Sequence, residues 1–129
     1  MDIIHFTLGT ADHLDSHQAT AARFLPLAEG SGNVHLSCLH LEENGTITAP
    51  STNHSAALLV VRGRITVTTF HTPMRIDILG GMGCLLAKDD PYSLTSDRGA
   101  ILLIVESDQL IAHEPGANCG ARWPGDNVT

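Results

Sequence analysis

The stretch PSTNHSAALLVVRGRITV, residues 50–67, decides the fold of this chain. Its second half is apolar and rich in β-branched residues, which predicts a buried strand, a turn at Arg62 and Gly63, and a second strand. Its first half is polar and contains a single histidine, His54. The stretch therefore predicts a strand-forming core that is entered through a polar segment able to carry functional side chains.

The sequence around this stretch repeats the same pattern of short apolar runs and turn residues. The run NVHLSCLHLE alternates loosely and is followed by Asn44 and Gly45, a pair that strongly favours a turn. Further strand-like runs are MRIDI, GCLLA, YSLTS and GAILLIVES, with glycine and proline between them. About seven to nine short strands and at most one or two short helices predict an all-β antiparallel sandwich or barrel.

The 129 residues are enough for one domain with one hydrophobic core. We expect that core to span about residues 33–107. Residues 1–32 are mixed in character and predict a strand and turn extension, with a short helix or irregular turn and a strand near residues 23–27. Residues 110–129 are rich in glycine and proline and predict an irregular C-terminal tail.

Charge, hydropathy and cysteine content indicate which partners and which cellular location to expect. The net charge is −7 and there is no basic run, which argues against nucleic acid or anionic membrane as a partner. No apolar stretch approaches the roughly 20 residues that span a bilayer, and the N-terminus does not resemble a signal peptide. Three widely spaced cysteines, Cys38, Cys84 and Cys119, indicate free thiols, so we expect a cytoplasmic protein.

The order and spacing of the turns resembles a small single-domain cupin, and the resemblance covers about residues 33–107. The first cupin motif ends in a glycine that aligns with Gly63, and the second begins with a glycine that aligns with Gly81. The resemblance implies a double-stranded β-helix, or jelly-roll barrel. It also implies four metal-ligand positions, three for histidine and one for glutamate, and these hold Pro50, Thr52, Ala56 and Tyr92.

These replacements predict that the family-type metal site, and with it the usual cofactor, is absent. Proline and alanine have no side-chain donor, threonine is a poor ligand, and one tyrosine does not make a site. An alternative is a divalent transition metal at a displaced site. Such a site would combine His54 with Tyr92, or with Cys38 and His40, which share a face of the first strong strand. His35 has the opposite parity, so only one of His35 and His40 can face inward.

Three functions remain open. The first is a metal-free cupin that binds a small organic molecule in its barrel, and the residues expected to line this site are Thr52, His54, Leu58, Val60, Tyr92 and His40. The second is an enzyme: either a metal-independent isomerase, epimerase or cyclase that uses His54 as base and Tyr92 as acid, or a metal enzyme with the displaced site. The third is an interaction protein whose barrel is filled by its own side chains. For all three we expect a homodimer, because open sheet edges need to be covered.

Overall fold

The computed structural model describes residues 1–6, 12–13, 23–24, 27–49 and 54–112. This part of the chain contains strands and turns and no helix. The ten strands are β1 (Asp2–His5), β2 (Asp12–His13), β3 (Arg23–Phe24), β4 (Ala28–Leu41), β5 (Gly45–Ala49), β6 (Ser55–Thr69), β7 (Met74–Leu79), β8 (Met82–Leu86), β9 (Tyr92–Ser96) and β10 (Ala100–Ala112). The predicted all-β antiparallel class is confirmed.

Eight strands form one connected sheet with two branches that share β6. The first branch has the order β1-β8-β6-β10-β4, and in the second branch β9 pairs with β5 and β6 while β7 pairs with β6. Strands β2 and β3 pair with each other. Within the described residues the sheet is not closed, so where a barrel was expected the structure has an open, branched sheet. It also extends beyond the core expected from the sequence, because β4 begins at Ala28 and β1 pairs with β8.

The turn predicted at Arg62 and Gly63 is wrong, because β6 runs through both residues without reversing. Before this point β6 pairs with β8 and β10, and after it β6 pairs with β7 and β9. Gly63 has a φ of +88°, and its pairing with β10 includes a register shift between Ile101 and Leu102. Glycine is favoured at such a φ because it has no Cβ. Gly63, which the sequence pattern predicts to lie in a turn, is therefore a bend at which β6 passes from the first branch of the sheet to the second.

The face of the sheet that carries the core is called the inner face here. Strand side chains alternate between faces, and on β6 the inner face receives the side chains of Leu58 and Val60. The same core cluster includes Cys84, Leu94 and Leu102 from three other strands. A smaller apolar cluster lies on the opposite, outer face and contains Ile4, Ala57 and Leu85. The inner face is therefore filled by its own aliphatic side chains.

Candidate functional site

Polar side chains meet at the end of the inner face where β6 begins. His54 lies immediately before β6, and its Nδ1 is 3.3 Å from Oδ1 of Asp108. Asp108 occupies the point at which the pairing of β10 with β4 shifts register, between Ser107 and Gln109. The side chains of His54 and Asp108 are 34% and 52% exposed. The pair therefore lies half-exposed at the rim of the sheet, although Nδ1 of His54 itself is buried.

The irregularity in the pairing of β4 with β10 is held by side-chain hydrogen bonds. The buried Ser107 hydroxyl donates to the carbonyl oxygen of Ser31 at 2.6 Å. The backbone N–H of Asn33 donates to Oδ2 of Asp108 at 3.3 Å. A bulge of this kind changes the direction of a side chain relative to a regular strand. Here Gly32 and Asn33 of β4 lie opposite the single residue Asp108, and the Asp108 carboxylate contacts both Asn33 and His54.

A second imidazole and a second carboxylate lie on the same face. His35 on β4 is directly opposite Glu106 on β10, and Glu106 is directly opposite Ala56 on β6. Directly opposite residues of antiparallel strands share a face. The rings of His35 and His54 have centroids 6.2 Å apart and planes tilted by 59°. The site therefore brings together two imidazoles and two carboxylates, and we call His35, His54, Glu106 and Asp108 the rim cluster.

Tyr92 supplies a phenol on the inner side of the rim cluster. Tyr92 is buried at the start of β9 and belongs to the main core cluster. Its pKa is raised, first because burial removes water from the phenolate, and then because of the negative charge of Glu106 and the nearby Cys84. At neutral pH the Tyr92 hydroxyl is therefore protonated and acts as a hydrogen-bond donor.

The residues singled out from the sequence are separated by the structure. Leu58 and Val60 were expected to line a cavity, but both are fully buried in the packed core. His40 and Cys38 are exposed and lie on the outer face, opposite Ile101 and Leu103. Strand parity therefore places His35, rather than His40, beside His54, and the displaced metal set of Cys38, His40 and His54 does not share one face. Thr52 and Pro50 lie outside the described residues.

Two members of the rim cluster, Glu106 and Asp108, were not found by sequence reasoning. The signal that could have identified Glu106 is the alternation of Leu102, Ile104 and Glu106, which places the carboxylate on the core-facing side of a strong strand. No comparable pattern marks Asp108, because its direction depends on the register shift.

The donor groups do not fit the metal that the fold family implies. Within residues 1–6, 27–49 and 54–112, no three His, Cys, Asp or Glu side chains are arranged to hold a metal ion. At the two family ligand positions in these ranges, Ala56 has no donor atom and Tyr92 offers a single buried phenol, which does not make a site by itself. No metal-dependent step is therefore assigned to the rim cluster.

An apolar groove of about 260 Å³ lies on the outer face, separate from the rim cluster. It is lined by Ile4, Leu27, Ala28, Gly30, Val34, Ala57, Leu59, Val105 and Leu110. The two faces of the first branch thus differ, because one has polar side chains at its rim and the other has an aliphatic surface.

The described part of the chain has no helix long and apolar enough to cross a membrane.

Comparison with known proteins identifies the architecture. No family model matches the sequence, and no curated protein matches it. Among solved structures, the cupin domain of Drosophila melanogaster CENP-C is 18% identical, with a TM-score of 0.52 over 56% of this chain and 56% of that one. The Schizosaccharomyces pombe Cnp3 cupin domain is 10% identical, with a TM-score of 0.53 over 66% of this chain and 69% of that one.

A third similar structure is a putative ethanolamine utilization protein, EutQ, from Salmonella typhimurium. It is 12% identical, with a TM-score of 0.52 over 60% of this chain and 59% of that one. This chain thus spans less than two thirds of the Drosophila and Salmonella chains. At such identities the likeness concerns the fold alone. The branched antiparallel sheet and these likenesses together establish that the chain has a cupin-type fold.

Proposed function

We propose that this cupin-fold protein binds a small organic molecule at the rim cluster rather than in the middle of the sheet. The observation that carries the proposal is the convergence of His35, His54, Glu106 and Asp108 at one half-exposed end of the inner face. The middle of that face offers no comparable place, because Leu58, Val60 and Leu102 are fully buried there. A ligand would therefore rest on the polar rim and contact the core only at its edge.

The composition of the rim cluster favours a particular ligand chemistry. Carboxylates accept hydrogen bonds, imidazoles donate and accept them, and the protonated Tyr92 donates. Two carboxylates in a chain with a net charge of −7 disfavour an anionic ligand. The expected ligand is therefore neutral or cationic, with hydroxyl or amine groups that donate to Glu106 and Asp108.

A second candidate function is metal-independent acid–base catalysis with His54 and Tyr92. It is favoured by the position of Tyr92 near Glu106 on the inner side of the rim cluster, where the raised pKa keeps the phenol protonated but makes it a weaker acid than an exposed tyrosine. His54 interacts with Asp108, whereas Tyr92 interacts electrostatically with Glu106. The two candidate groups thus have different carboxylate neighbours.

A screen of small molecules by thermal shift tests the proposal. The wild-type chain is compared with His54→Gln and Glu106→Gln, which remove functional groups of the rim cluster. The matched control is His71→Gln, an exposed histidine in the turn before β7. A ligand at about 100 times its Kd stabilises the folded state by about 2.7 kcal/mol, which a thermal shift detects.

We expect amine- or hydroxyl-bearing compounds to raise the Tm of the wild type and of His71→Gln, with the shift lost in both rim variants. Equal shifts in all four proteins would place the ligand elsewhere. If one compound is bound, incubation followed by NMR of that compound separates simple binding from turnover, and Tyr92→Phe then tests the acid role.

A further inference from the structure

Within the described residues, strand β4 forms an open edge of the sheet. It is 14 residues long and, among the strands of the described chain, it pairs with β10 alone. From Val34 to Leu41 its pairing with β10 is regular, and the register shift lies before Val34. The outward backbone groups of such an edge are free to pair with another strand. A long regular edge is thus a surface on which a further strand can be added.

This edge lacks the features that normally prevent strand addition. Proteins protect edges with lysine, proline, charged side chains or very short strands. Residues 34–41 read VHLSCLHL, with no Asp, Glu, Lys, Arg or Pro. By comparison, β7 carries Arg75 and Asp77, and β5 has only five residues. Among the edges of the sheet, β4 is the long one without such protection.

Side chains on the outer face of this edge are also apolar and exposed. Val34 is 58% exposed and Leu36 is 68% exposed. Val34 also lines the apolar groove on the outer face. An added strand would cover both side chains and extend the aliphatic surface of that face.

The charge of the chain indicates what can pair there. Each copy carries a net charge of −7, so two copies repel each other across most of their surfaces. Residues 34–41 contain no carboxylate, so self-association meets least repulsion along this edge. An antiparallel strand pair is symmetric about a two-fold axis, which allows the same segment to serve as both partners.

We propose that a second copy of this chain pairs antiparallel with β4 through residues 34–41. The sequence predicts a homodimer but does not indicate which surface forms the interface, and residues 34–41 provide such a surface. Directly opposite residues of an antiparallel strand pair lie on the same face of the sheet. The two-fold axis therefore passes between one residue and the same residue of the second copy. Near-complete overlap of residues 34–41 then centres the pair on Ser37 or on Cys38. The two copies form one continuous sheet across the axis.

Both registers bring the exposed Cys38 of one copy close to that of the other. Centring on Cys38 places the two Cβ atoms about 4.5–5.5 Å apart, and centring on Ser37 makes the two cysteines diagonal neighbours at about 7–8 Å. A short bis-maleimide spans either distance. Cys84 is fully buried and is not expected to react in the folded protein.

The test combines mass measurement with cross-linking of the full chain. We expect sedimentation to give twice the chain mass of 13.7 kDa, and the bis-maleimide to link two wild-type copies. The cross-linking is done in a Cys119→Ser background, which removes the third thiol, and there Cys38→Ser should lose the link while the protein stays dimeric. The double variant Leu36→Lys/Cys38→Lys gathers four lysines at the axis and should be monomeric. The matched control is Val61→Lys, at a 55% exposed apolar position on β6, and it should stay dimeric.

Three outcomes would overturn the proposal: a monomeric wild type, a dimer that the double lysine variant leaves intact, or a cross-link unchanged in Cys38→Ser. Circular dichroism checks that the lysine variants are folded. If the double variant does not fold, the single variant Leu36→Lys and the wild-type cross-link decide the outcome.

Discussion

Asp108 contacts His54 with one carboxylate oxygen and β4 with the other. Oδ1 lies 3.3 Å from Nδ1 of His54, and Oδ2 accepts the N–H of Asn33 at 3.3 Å. The same carboxylate lies against Gly32, where a Cβ would come within 1.9 Å of Oδ2. One side chain therefore connects the irregular part of β4 to the histidine that begins β6.

Asp108→Asn should reduce ligand binding much more than stability. The substitution keeps the shape of the side chain and removes the charge that faces His54. Because both partners are partly exposed, the loss in free energy of unfolding should be under about 1 kcal/mol. Urea unfolding measures the stability, and thermal shift with the compound found in the screen measures binding. Asp97→Asn, at an exposed ion pair with Arg64, is the matched control and should leave binding unchanged.

Gly63→Ala should destabilise the fold at the bend of β6. The φ of +88° is unfavourable for alanine, and the added Cβ would lie 2.5 Å from the carbonyl oxygen of Gly99. Strain of this kind costs about 1–3 kcal/mol, and a side-chain movement does not relieve the clash because the contacting atom belongs to the backbone. Urea unfolding of Gly63→Ala should give a lower midpoint than that of Arg62→Ala, the exposed neighbour. Equal midpoints would mean that the bend tolerates a side chain.

Most strands could be predicted from the sequence because they are local runs of strand-forming residues, but β1 and β5 were not predicted, and the pairing of the strands could not be. The turn at Asn44 is confirmed by its φ of 59°, yet the strand after it pairs with β9 rather than with β4. The glycine at position 63 gives the same local signal and marks a bend within a strand. Whether a glycine reverses the chain depends on which strands lie beside it, and that is a long-range property.

The candidate site was predictable to a similar extent. Parity alone indicated that one of His35 and His40 faces inward, and the register with β10 decides for His35. Leu58 and Val60, which were expected to line a cavity, are fully buried in the aliphatic cluster of the described residues. A sequence reports how large each side chain is, whereas the volume left between sheets depends on their spacing.

Leu102→Ala should strongly destabilise the protein. Leu102 is fully buried between Val60 and Leu39, its partners on the two neighbouring strands. Removing a buried leucine side chain costs about 2–5 kcal/mol, because apolar contacts are lost and a cavity remains. Val61→Ala, at an exposed apolar position, should change the free energy of unfolding by less than about 0.5 kcal/mol. Similar values for the two variants would contradict the packed inner face.

Stability should fall as the pH rises above about 9, and Cys84 should account for part of the slope. Burial raises the pKa of the Cys84 thiol to about 12 from an ordinary value of 9.0. Below pH 9.0 the thiol is protonated in both states, so this contribution to stability is fully present. Between these two values the unfolded state loses the proton while the folded state keeps it. Unfolding is therefore favoured by up to about 1.4 kcal/mol per pH unit.

Tyr92 should add to this alkaline loss, because its folded-state pKa is raised above the ordinary value of 10.0. Urea unfolding at a series of alkaline pH values measures the slope of stability against pH. Cys84→Ala should make the slope shallower, whatever its own cost from the cavity, because a cavity lowers stability equally at every pH. Cys38→Ala removes an exposed thiol and is the matched control. A slope in Cys84→Ala equal to that of the wild type would show that the buried thiol does not resist ionisation in the folded protein.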